Sequence, residues 1–264
     1  MKNTTFSATL VLALFFASSP AWAAEEVSFS KQRPLNQMES NYRQSVINGW
    51  RMFQTSFAED SMACVNCHLN HDQMTGWAGG YPKVEVFDGT PYSVKTLHQV
   101  VLETLGIHTD LPEDRREAMA VDLAAYISWW GDGQPVRPGI SRDIPPATMD
   151  LEKLKSLVNE GLQIFKSPGG TGCIGCHEIN KDPPKKNGVS LSWSFATFPR
   201  YDANAQRVVT LDSFLTSHVA KHAGIKDREQ VTALAAYLAD LATGKNLQPG
   251  TFRANSLRSN KNAN

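Results

Sequence analysis

The chain has 264 residues, of which 41% are hydrophobic, and its 26 basic side chains balance its 26 acidic ones. Such a balance argues against nucleic acid or an anionic membrane as the main partner. The length suits one or two domains.

Residues 1–23 read as a secretory signal. Lys2 starts it, an apolar run from Leu10 to Ala17 follows, and Ala21-Trp22-Ala23 fits a small-x-small cleavage pattern. The run is too short to span a bilayer, and no later stretch approaches that length without charges, so no transmembrane anchor is expected. Removing Lys2 leaves 25 basic against 26 acidic residues, a net charge of −1. The expected product is an exported soluble protein, cleaved near Ala23, which in a bacterium means the periplasm.

Residues 24–40 are polar and predict an extended lead-in. Apolar spacing over Ser45–Phe53 predicts a helix, and Cys64-Val65-Asn66-Cys67-His68 follows. A Gly-rich stretch from Gly76 to Pro82 precedes a second predicted helix, Ser93 to Leu105, with Gly106 as its cap. A third, Glu113 to Trp130, carries Met119, Leu123, Tyr126 and Trp130 along one face and stops at Gly131-Asp132-Gly133. The Gly- and Pro-rich residues 131–150 have linker composition.

The same signals then recur in the same order. Gly161-x-x-x-Phe165 repeats Gly49-x-x-x-Phe53, and Cys173-Ile174-Gly175-Cys176-His177 is a second C-x-x-C-H. Phe198-Pro199-Arg200 answers Tyr81-Pro82-Lys83, and Thr210-Leu211 answers Thr96-Leu97. Leu234-Ala235-Ala236-Tyr237 repeats Leu123-Ala124-Ala125-Tyr126. This implies two copies of one domain, 24–134 and 151–245, joined by a linker over 135–150 and ending in a polar, disordered tail over 246–264. Gly49 and Gly161 would let helices approach closely, with Tyr126 and Tyr237 filling the crossing.

C-x-x-C-H is the attachment sequence of c-type haem: two thiols bond the porphyrin edge and the imidazole that follows becomes an axial iron ligand. Paired cysteines in an exported protein also suggest a disulfide, or a zinc site. The duplication, each copy with its own histidine, favours two covalently bound haem c groups. Cys64, Cys67, Cys173 and Cys176 would attach them, and His68 and His177 would be the proximal ligands.

The opposite haem faces are less constrained. No methionine follows Met149, so the second haem should take His218 or His222, which lie four apart on one helix face. For the first haem His108 is the candidate, aligned with His222 when the repeat is anchored on Thr-Leu. The alternative is a five-coordinate iron. Met74 and Met119 read as packing or surface residues, His98 as a solvated side chain, and His71 as too close to His68 to reach the other face. Lys83 and Arg200 are candidates to neutralise haem propionates, or else simply exposed cations. The loop 181–186 reads as a basic docking rim or a solvated loop.

The crossing of first and last helices resembles the class I cytochrome c fold, which implies a mainly α protein of two tandem domains, each around one haem. The order C-x-x-C-H, aromatic-Pro-basic, Thr-Leu and ligand helix resembles the dihaem sulfur-oxidation cytochromes, the thiosulfate dehydrogenases and SoxA subunits. The stretch from Phe198-Pro199-Arg200-Tyr201 through Thr210-Leu211 to Leu234–Tyr237 carries most of this likeness. In that family a cysteine eight residues after the Thr is the distal ligand. Here that place holds Thr104 and His218, which removes the sulfur-reactive group and favours His218 over His222. The expected function is electron transfer between periplasmic redox proteins, such as small cytochromes c or an oxidoreductase, by two bis-histidine haems. A thiosulfate dehydrogenase-like or peroxidase-like enzyme is the alternative, and a gas-sensing haem protein a third reading.

Overall fold

The structure is a computed structural model. It describes residues 32–57, 62–68, 74–85, 93–140, 148–167, 173, 177, 185–186 and 189–251. The predicted signal segment, His71, Cys176 and the loop 181–184 lie outside the described residues. Among those described, no helix is long and apolar enough to cross a membrane.

The fold is mainly helical. In the N-terminal half, helix α1 (Ser40–Phe53) starts on Glu39, whose carboxylate accepts from the amides of Asn41 and Tyr42 at 3.0 and 2.8 Å. Two short helices follow, α2 (Cys64–Cys67) and α3 (Trp77–Gly80), then an antiparallel hairpin of β1 (Lys83–Glu85) and β2 (Ser93–Lys95). Helices α4 (Leu97–His108) and α5 (Glu113–Trp130) complete it. The C-terminal half runs α6 (Thr148–Lys166), the hairpin β3 (Lys185–Lys186) and β4 (Val189–Ser190), and α7 (Ser192–Ala196). The hairpin β5 (Arg200–Asp202) and β6 (Arg207–Val209), then α8 (Leu211–Ala223) and α9 (Arg228–Leu241), end it.

In each half the first long helix crosses the last, α1 on α5 and α6 on α9. A Cβ at Gly49 would collide with the Asp122 carbonyl and Tyr126, and one at Gly161 with the Ala233 carbonyl and Tyr237. Only glycine admits this approach. Around each crossing a core forms, the first from Tyr42, Val46, Phe53, Leu123 and Tyr126, the second from Phe165, Leu215, Val219, Leu234 and Tyr237. Each such side chain stabilises the fold by roughly 1.5–3 kcal/mol on burial.

The halves interlock. Hairpin β1–β2 packs on α6 and hairpin β5–β6 on α1, so each hairpin covers the first helix of the other half. The helices α4 and α8 begin side by side. Their N-caps Thr96 and Thr210 form matching capping boxes with Gln99 and Ser213. The Thr96 hydroxyl donates to Asp212 at 3.2 Å and the Gln99 amide to the Thr232 hydroxyl at 2.8 Å.

Several expectations are corrected here. Gly106 lies inside α4, because the helix starts at the Thr96 capping box and runs on to His108. The segment read as the start of a linker is built in: Val136 is buried, its amide donates to Lys245 O at 2.8 Å, the Gly133 amide donates to Leu247 O at 2.8 Å, and the Leu247 amide donates to Gln134 O at 2.8 Å. The tail begins later than Asn246, since Leu247 and Pro249 are buried in the contact between halves. The lead-in is anchored as well. Arg33 grips the buried Asp132 through its side chain and amide, at 2.7–3.1 Å, and donates to Pro249 O. Composition marked these stretches as polar, but a few buried apolar and charged residues tie them down.

Replacing Gly161 by Val should cost about 3 kcal/mol, the upper end for overpacking, because the obstacle is a backbone carbonyl. Urea unfolding followed by circular dichroism measures it, and a loss under 1 kcal/mol would mean that the crossing is not close-packed.

Candidate cofactor sites

At the first site, α2 is a single turn. The Ala63 amide donates to Asn66 Oδ1 at 2.6 Å and the His68 amide to Cys64 O at 3.0 Å. That turn brings Cys64, Cys67 and His68 to one cleft, walled by Met52, Thr104, Leu105, His108, Met119 and Leu123. The cysteines described, Cys64, Cys67 and Cys173, are not in disulfides. Burial pushes the Cys64 thiol pKa up, reinforced by Cys67 beside it, and burial pulls that of the His68 imidazole down. A neutral imidazole keeps a lone pair free for a metal. Trp77 meets the His68 ring edge-on at 5.0 Å, while Phe53 lies 6.5 Å from it and 5.5 Å from Tyr126.

At the second site Cys173 and His177 are the described residues of the motif. The His177 amide donates to Cys173 O at 2.9 Å. Phe165 lies 5.9 Å from the His177 ring and 5.4 Å from Tyr237. Two thiols, an imidazole and an apolar wall are the donor set that a covalently bound haem c requires. The residues present fit that group.

The remaining candidates separate. On α8, His218 is half-buried and stacks on Phe214 at 5.1 Å, whereas His222, 4.7 Å from it, is exposed. On α4, the Thr104 hydroxyl donates to Val100 O at 2.8 Å, and His108 is exposed at the helix end. Arg200 is largely buried, stacked over Phe198 at 4.2 Å and near Phe214 at 5.7 Å, and it donates to Thr197 at 3.1 Å. Its burial lowers the guanidinium pKa. It therefore borders the His218 stack. Lys83 is held by Glu85 at 2.8 Å and lies 4.9 Å from the centre of the Tyr81 ring.

His98 corrects an expectation: it is buried, not solvated. Its Nε2 lies 3.0 Å from Glu117, whose pKa that hydrogen bond lowers, and its Nδ1 has no partner among the described residues. It lines a second cavity, between the halves, with Thr96, Thr210 and Asp212. Sequence reasoning also missed Trp77. Its distance from His68 along the chain, in a segment read only as Gly-rich, gave nothing to link the two.

No protein-family model matches the chain, and no curated protein matches it. Among solved structures it is similar to one described as the crystal structure of SoxXA from P. pantotrophus, with a TM-score of 0.59 and 20% sequence identity. The match covers 79% of this chain and 77% of that one. At that identity the likeness is one of fold, a mainly helical, cytochrome-like architecture.

Asp212 supplies a pH test. Burial raises its carboxyl pKa, against the smaller opposing pull of His98 and Arg228. The folded state then binds the proton more tightly than the unfolded state, so this carboxyl costs stability as pH rises past the usual Asp range. Asp212→Asn keeps an acceptor for Thr96 and should melt higher than the parent at neutral pH, with the gain shrinking in acid. A gain independent of pH would rule out this account.

Proposed function

We propose that this chain is an exported dihaem cytochrome c that carries electrons between periplasmic redox partners, such as a small cytochrome c and an oxidoreductase. The observation that supports it best is the duplicated turn. His68 and His177 each face the Phe of a Phe–Tyr pair at a helix crossing, in a fold similar to that of SoxXA. On this reading residues 24–134 and 151–245 are the two haem domains. Cys64, Cys67, Cys173 and Cys176 would hold the porphyrins, and His68 and His177 would present their imidazoles to the irons. When bound, the haems supply one-electron iron couples whose potentials follow ligand type and burial. The chain's own part is to fix the imidazoles by packing and to keep water from the buried faces with Phe53, Tyr126, Phe165 and Tyr237.

For the second haem, His218 would be the further protein ligand, since it is the inner of the two α8 histidines. Arg200, beside the same stack, pairs with a propionate. The likeness to SoxXA agrees with the resemblance to sulfur-oxidation cytochromes. The place of their reactive cysteine holds Thr104 and His218, however, and that favours electron transfer over thiosulfate oxidation.

The mature protein should weigh as the chain plus two haems. Replacing Cys64 and Cys67 by Ala should leave one haem, and so should replacing Cys173 and Cys176. The purified protein should accept electrons from a reductant without forming tetrathionate or consuming peroxide. Turnover of either substrate would make it an enzyme, and a chain without covalent haem would end the proposal.

A further inference from the structure

Resting on the reading that the first motif holds a haem, we infer that Met119, not His108, supplies the second protein ligand to its iron. The two haems are then chemically unlike.

The registers of α4 and α8 carry the first half of the case. Counted from their N-caps Thr96 and Thr210, Thr104 matches His218 and His108 matches His222. The inner place of the pair is the earlier one in both helices: Thr104 and His218 are half-buried, while His108 and His222 are exposed. In α8 that inner place holds an imidazole. In α4 it holds a hydroxyl already committed to Val100 O at 2.8 Å. His108 sits a turn further out, beside the exposed Ile107, at the rim of the cleft.

Met119 carries the second half. It comes from α5, is 7% exposed, belongs to the first core with Leu105 and Leu123, and lines the same cleft as Cys64, Cys67 and His68. A thioether is uncharged, so an apolar wall holds it at little cost, and its unbranched chain adjusts to reach a ligand. An imidazole drawn in from the rim would have to shed its water. The other thioethers are placed worse. Met62 is 43% exposed, Met38 and Met74 are buried but off the cleft wall, and Met52 lines the cleft from the helix whose Phe53 already faces His68. The crossing sets Asp122 against Gly49 as it sets Ala233 against Gly161, so the place of Met119 in the second half belongs to Gln230. Nothing there could repeat the ligand.

Met–His ligation raises the potential of a haem above that of two imidazoles. An electron accepted at the His177 site would pass to the His68 site, the one losing and the other gaining a single electron. The chain would therefore have a preferred direction.

The test uses the full mature holoprotein, its haem count taken first by mass so that loss of the cofactor is read separately. Ferric protein should show a sulfur–iron charge-transfer band in the near infrared, and a redox titration should resolve two separated steps. Met119→Leu, which preserves volume, should remove that band and shift the upper step downward, with the lower step unmoved. His108→Ala should leave both band and steps in place. The inference is overturned if two-haem parent protein shows no sulfur band, if the band survives in Met119→Leu, or if His108→Ala alone turns a haem high-spin. A mass showing fewer than two haems would overturn the reading on which it rests.

Discussion

Everything in this structure depends on two helix crossings that tolerate no side chain. At Gly49 and Gly161 the backbone of one helix lies against a carbonyl of another, Asp122 in one half and Ala233 in the other. That contact fixes where Phe53 and Phe165 stand, four residues on, and each ring reaches both the crossing tyrosine and the motif histidine. The Cys64–Cys67 turn is thus positioned by packing and not by its own short helix, whose four residues could not hold a shape alone. Ser45 and Asn48 add polar contacts to Asp122 on the same seam. Burial raises the Asp122 pKa even so.

The interlocking of the halves extends this constraint. Because each hairpin covers the first helix of the other half, neither crossing is closed off from solvent by its own half alone. The N-caps Thr96 and Thr210 meet at the centre, and the segments after α5 and α9 pair through Val136 and Leu247. Helices α4 and α8 are therefore pinned at their starts; α4 runs along the cleft of Cys64, Cys67 and His68, and α8 contributes Leu215 and Val219 to the core that Cys173 packs against. Position along these helices becomes position relative to the motif histidine. That is why the difference between Thr104 and His218 matters more than any similarity elsewhere in the repeat.

Much of this arrangement was readable in the amino-acid sequence, and the reason is local. The crossing glycines, the Thr-Leu starts and the Leu-Ala-Ala-Tyr helices are short-range signals repeated in order, and α5 spans the residues its pattern predicts. What escaped reading depends on contacts distant along the chain. Arg33 and Asp132 are 99 residues apart, and Gln99 and Thr232 are 133 apart, so no window on the sequence joins them. The segment 131–140 and the tail from Asn246 looked like linkers because glycine and proline dominate their composition. Two buried residues, Val136 and Leu247, make them core. His98 looked solvated because its partners Glu117 and Asp212 lie on other helices.

The cofactor sites show the same division in sharper form. A C-x-x-C-H motif is self-contained, and its thiols and imidazole converge within one turn wherever the turn forms. The far face of a haem has no such motif, because its ligand comes from a separate helix and is selected by depth. Spacing gave His108 and His222 equal standing with His218, since all lie on similar helices. Burial breaks that equality in both halves at once: the outer register is wet and the inner one packed. On the proposed reading, an inner register that holds a hydroxyl leaves the ligand to another helix that reaches the same depth, and in the first half α5 lines the same cleft. The two halves share their helix crossings and capping boxes, and single positions on that shared frame, Thr104 against His218 and Met119 against Gln230, are where they differ.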